Sequence, residues 1–227
     1  MPNVLITGAN RGLGLEFARQ YADEGWRVFA TCRDPDRAGQ LEGRTGDIRV
    51  HRLDVADFGQ IDALARELKD EPIDLLINNA GVYGTGPQTL ESLDYDEWSR
   101  VMRVNSLAPI RICRAFLEQV ARSDRKIIVA ISSKMGSIDD NTSGGAYIYR
   151  TSKAALNAAM KSLAIDLAPR GVTAAILHPG WVRTDMGGPG GRISAEESVS
   201  GMRRVMAALE PPDAGKFLGY DGAVVPW

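Results

Sequence analysis

The chain lacks the features that would mark it as secreted, membrane-spanning or metal-binding. It has two cysteines and two histidines in 227 residues. Cys32 and Cys113 show neither the spacing of a zinc site nor that of a redox motif. Cys32 closes a strand-like run and Cys113 lies in a helical one, so buried free thiols are expected, as suits a reducing compartment. No apolar run reaches the roughly 18 residues that a membrane span needs. No charged segment followed by an apolar one precedes Val4, so no secretory leader is expected and the cytoplasm is the expected compartment. An excess of charge is also missing: the net charge is −2, which points away from nucleic acid and anionic membrane surfaces as partners. There is no internal repeat, low-complexity tract or second hydrophobic domain. Hydrophobic residues make up 44% and charged residues 25%, and the length suits one large α/β domain across residues 1–227.

What the chain does contain is an alternation of apolar runs and amphipathic stretches. Val4-Leu5-Ile6 is a short apolar run of the kind buried on both faces of a parallel sheet. It stops at Thr7, and the glycine turn Gly8-Ala9-Asn10-Arg11-Gly12-Leu13-Gly14 leads into an amphipathic stretch from Leu15 to Glu24. Strand, glycine turn and helix in this order make a phosphate-binding site. Glycines let the backbone approach a pyrophosphate, whose charge meets the free N–H groups of the helix N-terminus. Further strands are expected at Trp26–Thr31, Ile48–Leu53, Ile73–Ile77, Lys126–Ile131, Val172–Leu177 and Phe217–Tyr220. Helices are expected over Phe58–Leu68 behind Asp57, as a long helical region from about Tyr95 to Arg122 behind Asp94 with room for a kink at Asn105, around Tyr149 to near Pro169, and from Ser194 to about Leu209. Seven strands alternating with helices predict a single-domain, doubly wound (Rossmann) parallel sheet with helices on both faces.

Several residues at expected strand ends carry chemistry. In an NAD-binding unit an acid near the end of the second strand accepts hydrogen bonds from the ribose 2′-hydroxyl. Here Arg33 holds that place. It cannot accept a hydrogen bond but can pair with a 2′-phosphate, and Arg11 could reach the same group. This favours NADP(H) and leaves NAD(H) open, because Asp34 and Asp36 follow at once. Asp54, with Val55, lies where a carboxylate can bond an adenine amino group, and equally where a plain loop aspartate would lie. His51 is expected to be structural. Asn78-Asn79-Ala80-Gly81 and Ser132-Ser133 end the fourth and fifth strands, and Asn105 interrupts the long helical run at a cost in helix propensity. Tyr149 and Lys153 stand one helical turn apart on one face. A nearby cation favours the ionised form of a phenol whose ordinary pKa is about 10. The spacing alone equally fits a tyrosine and a lysine on a solvated face.

Taken together, Thr7-Gly8-Ala9-Asn10-Arg11-Gly12-Leu13-Gly14, Asn78-Asn79-Ala80-Gly81, Asn105, Ser132-Ser133, Tyr149 with Lys153, and Pro179-Gly180 with Thr184 resemble the short-chain dehydrogenase/reductase family. The short length, Asn141 to Gly145, Pro179 to Gly188 and the run from Asp221 to Trp227 are similar to its C-factor-like and sniffer-like branch. The resemblance implies that Tyr149 is the acid–base residue, that Lys153 lowers its pKa and bonds the nicotinamide ribose, that Ser133 polarises the carbonyl, and that Asn105 anchors a water in a proton relay. It implies cofactor contacts from Gly8, Asn10, Arg11, Gly12, Leu13, Gly14, Arg33, Asp54, Val55, Asn79, Ala80, Gly81, Tyr149, Lys153, Pro179, Gly180, Val182 and Thr184, with Thr184 on the carboxamide. The expected reaction is NADP(H)-dependent interconversion of a carbonyl and an alcohol, without a metal. The segments Val82–Thr89 and Trp181–Ile193 would roof the pocket, and they suggest an apolar or aromatic substrate. A homodimer or homotetramer built on the long helices is expected. The branch also implies an alternative: a dinucleotide-binding signalling protein of C-factor type in which turnover is secondary.

Overall fold

Among the described residues seven strands form one sheet: β1 Asn3–Thr7, β2 Arg27–Cys32, β3 Asp47–Arg52, β4 Leu75–Asn78, β5 Ile127–Ile131, β6 Thr173–His178 and β7 Phe217–Gly219. Their order is β3-β2-β1-β4-β5-β6-β7 and every pairing is parallel. The computed structural model describes residues 1–39, 41 and 46–227. Strands β1, β4 and β5 are buried along their whole length, which is why they read as unbroken apolar runs. Successive residues of each strand face opposite layers. Leu5, Leu76, Ile128 and Ile176 pack into one core with Ile61, Ile112, Phe116, Leu156 and Met160. Val4, Ile6, Ile77, Val129 and Leu177 pack into the other with Phe17, Tyr21, Met202 and Met206. The edge strand β3 is only partly buried. There His51 meets Glu67 at 3.0 Å and lies beside Phe29, a structural position as expected. Cys32 and Cys113 are free and buried.

Helices α1 (Gly12–Asp23) and α7 (Ala195–Ala207) cover one face. Helices α2 (Phe58–Glu67), α4 (Ala108–Ala115) and α6 (Tyr147–Leu167) cover the other. Asp57, Asp94 and Ser194 cap their helices through side-chain oxygens, as the sequence predicts. Among the described residues no helix is long and apolar enough to cross a membrane.

The long helical region expected from Tyr95 to Arg122 is helical but not one continuous α-helix, and its irregularity falls at Asn105. It divides into α3 (Tyr95–Met102), a π turn (Arg103–Leu107), α4 and the short α5 (Leu117–Ala121), with a break at Phe116. Two local causes act together. Pro109 has no N–H to give to the carbonyl four residues back, that of Asn105. The Asn105 amide is also pulled out of helical register: its Oδ1 accepts from Val82 N at 2.9 Å and its Nδ2 donates to Val82 O at 2.8 Å. The extra residue of the π turn turns this side chain toward the β4 end of the sheet.

Candidate active site

The strand order reverses between β1 and β4, so the loops leaving their carboxyl ends diverge and open a crevice. Thr7 staples the crevice floor. Its Oγ1 accepts from Asn79 N and Ala80 N, both at 3.0 Å. The Asn79 amide answers by donating to Thr7 O at 2.8 Å and Gly8 O at 3.1 Å. This close approach explains the small residues. A Cβ on Gly14 would lie 2.1 Å from Gly8 O and 2.6 Å from Asn79 Nδ2, and one on Gly8, whose φ is +67°, would meet Ala80 Cα at 3.0 Å. Gly12 also takes a left-handed φ of +55°. Helix α1 then begins with no side chain capping its first turn. A tight glycine turn and an uncapped helix N-terminus at a strand's carboxyl end suit a pyrophosphate.

Around this cradle lie the other predicted contact residues. Asn10 and Leu13 are half-buried in the same turn. Asp54 Oδ1 accepts from Ala56 N at 2.9 Å, closing its own loop at the end of β3, with Val55 buried beside it. Arg33 is exposed just past β2. Arg11 instead reaches across the crevice to Asp185, Nη1 to Oδ2 at 2.9 Å, with both side chains largely exposed. Pro179 and Gly180 follow β6, and Val182 is buried by its bridge to Ile193. Thr184 folds its loop back: its Oγ1 accepts from Gly187 N at 3.2 Å and its carbonyl from Gly188 N at 2.8 Å. A cleft of about 430 Å³ runs between the two loops, lined by Arg11, Gly12, Arg183, Thr184 and Asp185 among others.

The reactive side chains gather deeper in. The serine pair divides its work: Ser132 Oγ is buried against Asn157 Oδ1 at 2.6 Å, whereas Ser133 Oγ caps the turn Lys134–Gly136, accepting from Met135 N at 3.2 Å, and lies near enough to the Tyr149 phenol to favour its ionised form. Tyr149 is buried on the first turn of α6. Burial pushes its pKa up to about 12, and Ser133 only partly offsets this. Lys153, one turn on, is buried as well, and burial lowers its pKa to about 8. Its ammonium donates to Ile131 O at 2.9 Å and lies 5.9 Å from the centre of the Tyr149 ring. The implied lowering of the phenol pKa by Lys153 is therefore not the dominant effect here, because the cation is drawn to the end of β5 while desolvation governs the phenol. Gly81 leaves the space where these groups meet: a Cβ there would lie 3.4 Å from Asn105 Oδ1 and 3.6 Å from Lys153 Nζ. Asn105 Nδ2 also reaches Ser152 Oγ at 3.0 Å.

Two residues of the expected roof segment Val82–Thr89 touch Tyr149, although the sequence does not single out either one. Tyr83 lays its ring against that of Tyr149, with centroids 4.7 Å apart. Gln88 Oε1 accepts from Tyr149 N at 3.0 Å. Both residues lie in an aperiodic loop whose partners are remote in the chain. Asp185, in the other expected roof segment, is likewise not singled out, and Glu97 is not foreseen at all. Among the described residues no group of three or more histidine, cysteine, aspartate or glutamate side chains is placed to hold a metal ion.

A buried phenol and ammonium with a half-buried hydroxyl, beside a glycine cradle at the carboxyl ends of a doubly wound sheet, suit an oxidoreductase that uses a dinucleotide. Comparison with known proteins agrees. The family model for short chain dehydrogenases matches residues 2–192, and the chain belongs to that family. It is 45% identical over 165 residues to the C-signal protein of Myxococcus xanthus, covering 73% of this chain and 99% of that one. In structure it is similar to the carbonyl reductase Sniffer of D. melanogaster, with a TM-score of 0.94, 34% identity and all of both chains covered. It is also similar to the NADPH-bound carbonyl reductase from chicken fatty liver, with a TM-score of 0.93, 36% identity, and 100% of this chain and 99% of that one covered.

The loop bearing Tyr83 is anchored by Glu97. Its Oε1 accepts from Thr85 N at 2.7 Å, and Arg100 bonds both oxygens at 2.6 and 2.8 Å. Arg100 first, then the Thr85 amide, hold the carboxyl at about 2, below its ordinary 4.5. A carboxylate with a lowered folded-state pKa stabilises the fold above its unfolded pKa and loses that contribution as pH falls. Glu97→Gln should cost about 1.5–3 kcal/mol near neutral pH. The deficit should shrink as pH falls from about 4.5 toward about 2. Denaturant unfolding of both proteins across this range checks it, and a deficit independent of pH would rule the anchor out.

Proposed function

We propose that the protein is an NADP(H)-dependent reductase of ketones or aldehydes, reversible to alcohol oxidation, with Tyr149 as its acid–base residue. The observation that carries this reading is the buried Tyr149 phenol, with the Ser133 hydroxyl beside it and the buried Lys153 ammonium one helical turn away. The glycine turn and the uncapped start of α1 fit the cofactor's pyrophosphate. When bound, the cofactor supplies hydride to the carbonyl carbon. Ser133 holds the carbonyl oxygen against the phenol. With its pKa near 12, Tyr149 is protonated at neutral pH and carries the proton that this oxygen needs as hydride arrives. Lys153, with a pKa near 8, is largely cationic at the same pH and offsets the charge left on the tyrosine. Asn105, fixed between Val82 and Ser152, would anchor a water in a proton relay. Thr184, Pro179, Gly180 and Val182 bound the nicotinamide side, Asp54 and Val55 the adenine side, and Asn79, Ala80 and Gly81 the floor.

The NADP(H) preference rests on Arg33, exposed just past β2, while Arg11 would have to leave Asp185 to join it. The NADPH-bound state of the chicken carbonyl reductase is a point in its favour. Exposed apolar residues on the helical side, Leu107 and Ile165, support assembly as a homodimer or homotetramer. The two buried free thiols support work in the cytoplasm. A second reading, a dinucleotide-binding signalling protein in which turnover is secondary, is favoured by the identity to C-signal. Binding alone, however, would not require both Ser133 and Tyr149.

Three outcomes test this function. Tyr149→Phe should lower the rate of carbonyl-dependent NADPH oxidation by about 10²-fold or more while leaving NADPH binding intact. Turnover at the parent rate would overturn the assignment, and retained biological effect without turnover would favour the signalling reading. Arg33→Ala should weaken NADPH binding about tenfold or more, as expected for a lost charge-assisted contact, with little change for NADH. Equal losses in fluorescence titrations with the two cofactors would sink the NADP preference. Light scattering should give two or four times the mass of one chain, and a monomer at micromolar concentration would exclude the assembly.

A further inference from the structure

Helix α6 carries Tyr149 and Lys153 but is poorly started. Its N-cap, Ala146, has no side-chain oxygen to offer and sits in the left-handed region, with φ 47° and ψ 39°. A first-turn N–H group of a helix needs an acceptor from elsewhere. Tyr149 is the third residue of the helix, where an N-cap oxygen would normally bond, and its N–H is taken by Gln88 Oε1 at 3.0 Å. The other end of the same amide, Nε2, donates to Tyr83 O at 2.9 Å. Gln88 is 7% exposed, so both bonds are sheltered from water. Only a side chain with a donor and an acceptor at this reach can serve both partners.

The Tyr83 side of the clamp is equally well defined. Val82 is held at N and O by Asn105, and Thr85 N by Glu97, so the loop is tied on both sides of Tyr83 and again at Gln88. Gly84, at φ +96°, lets the chain turn there, and a Cβ at that position would press on Gln88 Nε2 and Val101 at 3.3 Å. The Tyr83 ring thus lies 4.7 Å from that of Tyr149, tilted by 33°. Its outer side is open, with Tyr83 40% exposed and Tyr149 7%. The groups facing the Tyr149 side chain are Tyr83 from this loop, Ser133 from the turn after β5 and Lys153 from its own helix.

We propose that Gln88 and Tyr83 are positioning residues for Tyr149: Gln88 caps the helix that carries the phenol and fixes the Tyr83 ring as the wall that keeps water from it. The catalytic consequence rests on the acid–base role of Tyr149 proposed above, whereas the shielding itself does not. The wall acts through its ring, not its hydroxyl, so Tyr83→Phe retains it and Tyr83→Ala removes it.

The first test is independent of turnover. Parent and variant proteins are treated with tetranitromethane, and nitration of Tyr149 is mapped by mass spectrometry. Tyr149 should be protected in the parent and in Tyr83→Phe, and nitrated severalfold faster in Tyr83→Ala and in Gln88→Met. In steady-state kinetics Tyr83→Ala and Gln88→Met should lower kcat about tenfold, as expected for a misplaced reacting group, with NADPH affinity held within about twofold. The rate of Tyr83→Ala should also begin to fall at lower alkaline pH than that of the parent, as re-solvation brings the phenol back toward its ordinary value of about 10. Should Gln88→Met fail to fold, Tyr83→Ala decides alone, since Tyr83 lies at the surface. Unchanged nitration of Tyr149 in Tyr83→Ala overturns the proposal, as does a Tyr83→Phe protein that behaves like Tyr83→Ala. Parent-level turnover in Tyr149→Phe would instead remove the catalytic reading while leaving the shielding test standing.

Discussion

The site depends on one constraint, the reversal of strand order between β1 and β4. From those two central strands the chain winds outward in both directions, so the loops at their carboxyl ends part and leave a crevice. The floor of that crevice must nevertheless hold together. Thr7 and Asn79 exchange hydrogen bonds across it, and the resulting closeness leaves no room for a side chain at Gly14. The glycines of the first turn therefore serve two ends at once: they allow the β1–β4 contact and they bring bare backbone to the place where a pyrophosphate would bind.

Burial acts in opposite directions on the two central titratable groups. Desolvation disfavours the charged form of each, which raises the Tyr149 phenol and lowers the Lys153 ammonium. Their ordinary values of about 10 and about 10.4 nearly coincide, yet here the two are separated by several units in the order that keeps tyrosine protonated and lysine ionised at neutral pH. A protonated phenol and a cation thus lie one helical turn apart, both largely shielded from water. The Ile131 carbonyl makes this tolerable by taking a hydrogen bond from the buried ammonium, which would otherwise carry a large desolvation cost.

Much of this was legible in the sequence. The strands showed as apolar runs because they are buried on both faces. The helix caps at Asp57, Asp94 and Ser194 were readable because capping is a matter of a few adjacent residues. The glycine turn, the serine pair and the Tyr149–Lys153 spacing stood out for the same reason. The stretch Tyr95–Arg122 shows where local pattern stops: the sequence marks Asn105 as an irregular position but not the form of the irregularity. A helical pattern runs through the segment, but Asn105 finds both of its partners on Val82, 23 residues away, and that distant demand, with Pro109, opens a π turn that periodicity does not encode.

The sequence by itself determined the layering of the sheet, the glycine turn at its centre and the set of side chains able to do the chemistry, because each depends on residues next to one another or one turn apart. Only the tertiary structure decided how the polar groups are paired: Gln88 at the head of the catalytic helix, Asp185 with Arg11 from 174 residues away, and Lys153 bonded to a strand carbonyl and not to the phenol. The physical reason is that periodicity records which residues are buried, whereas a hydrogen bond or ion pair depends on a few tenths of an ångström between segments brought together only when the whole sheet is wound.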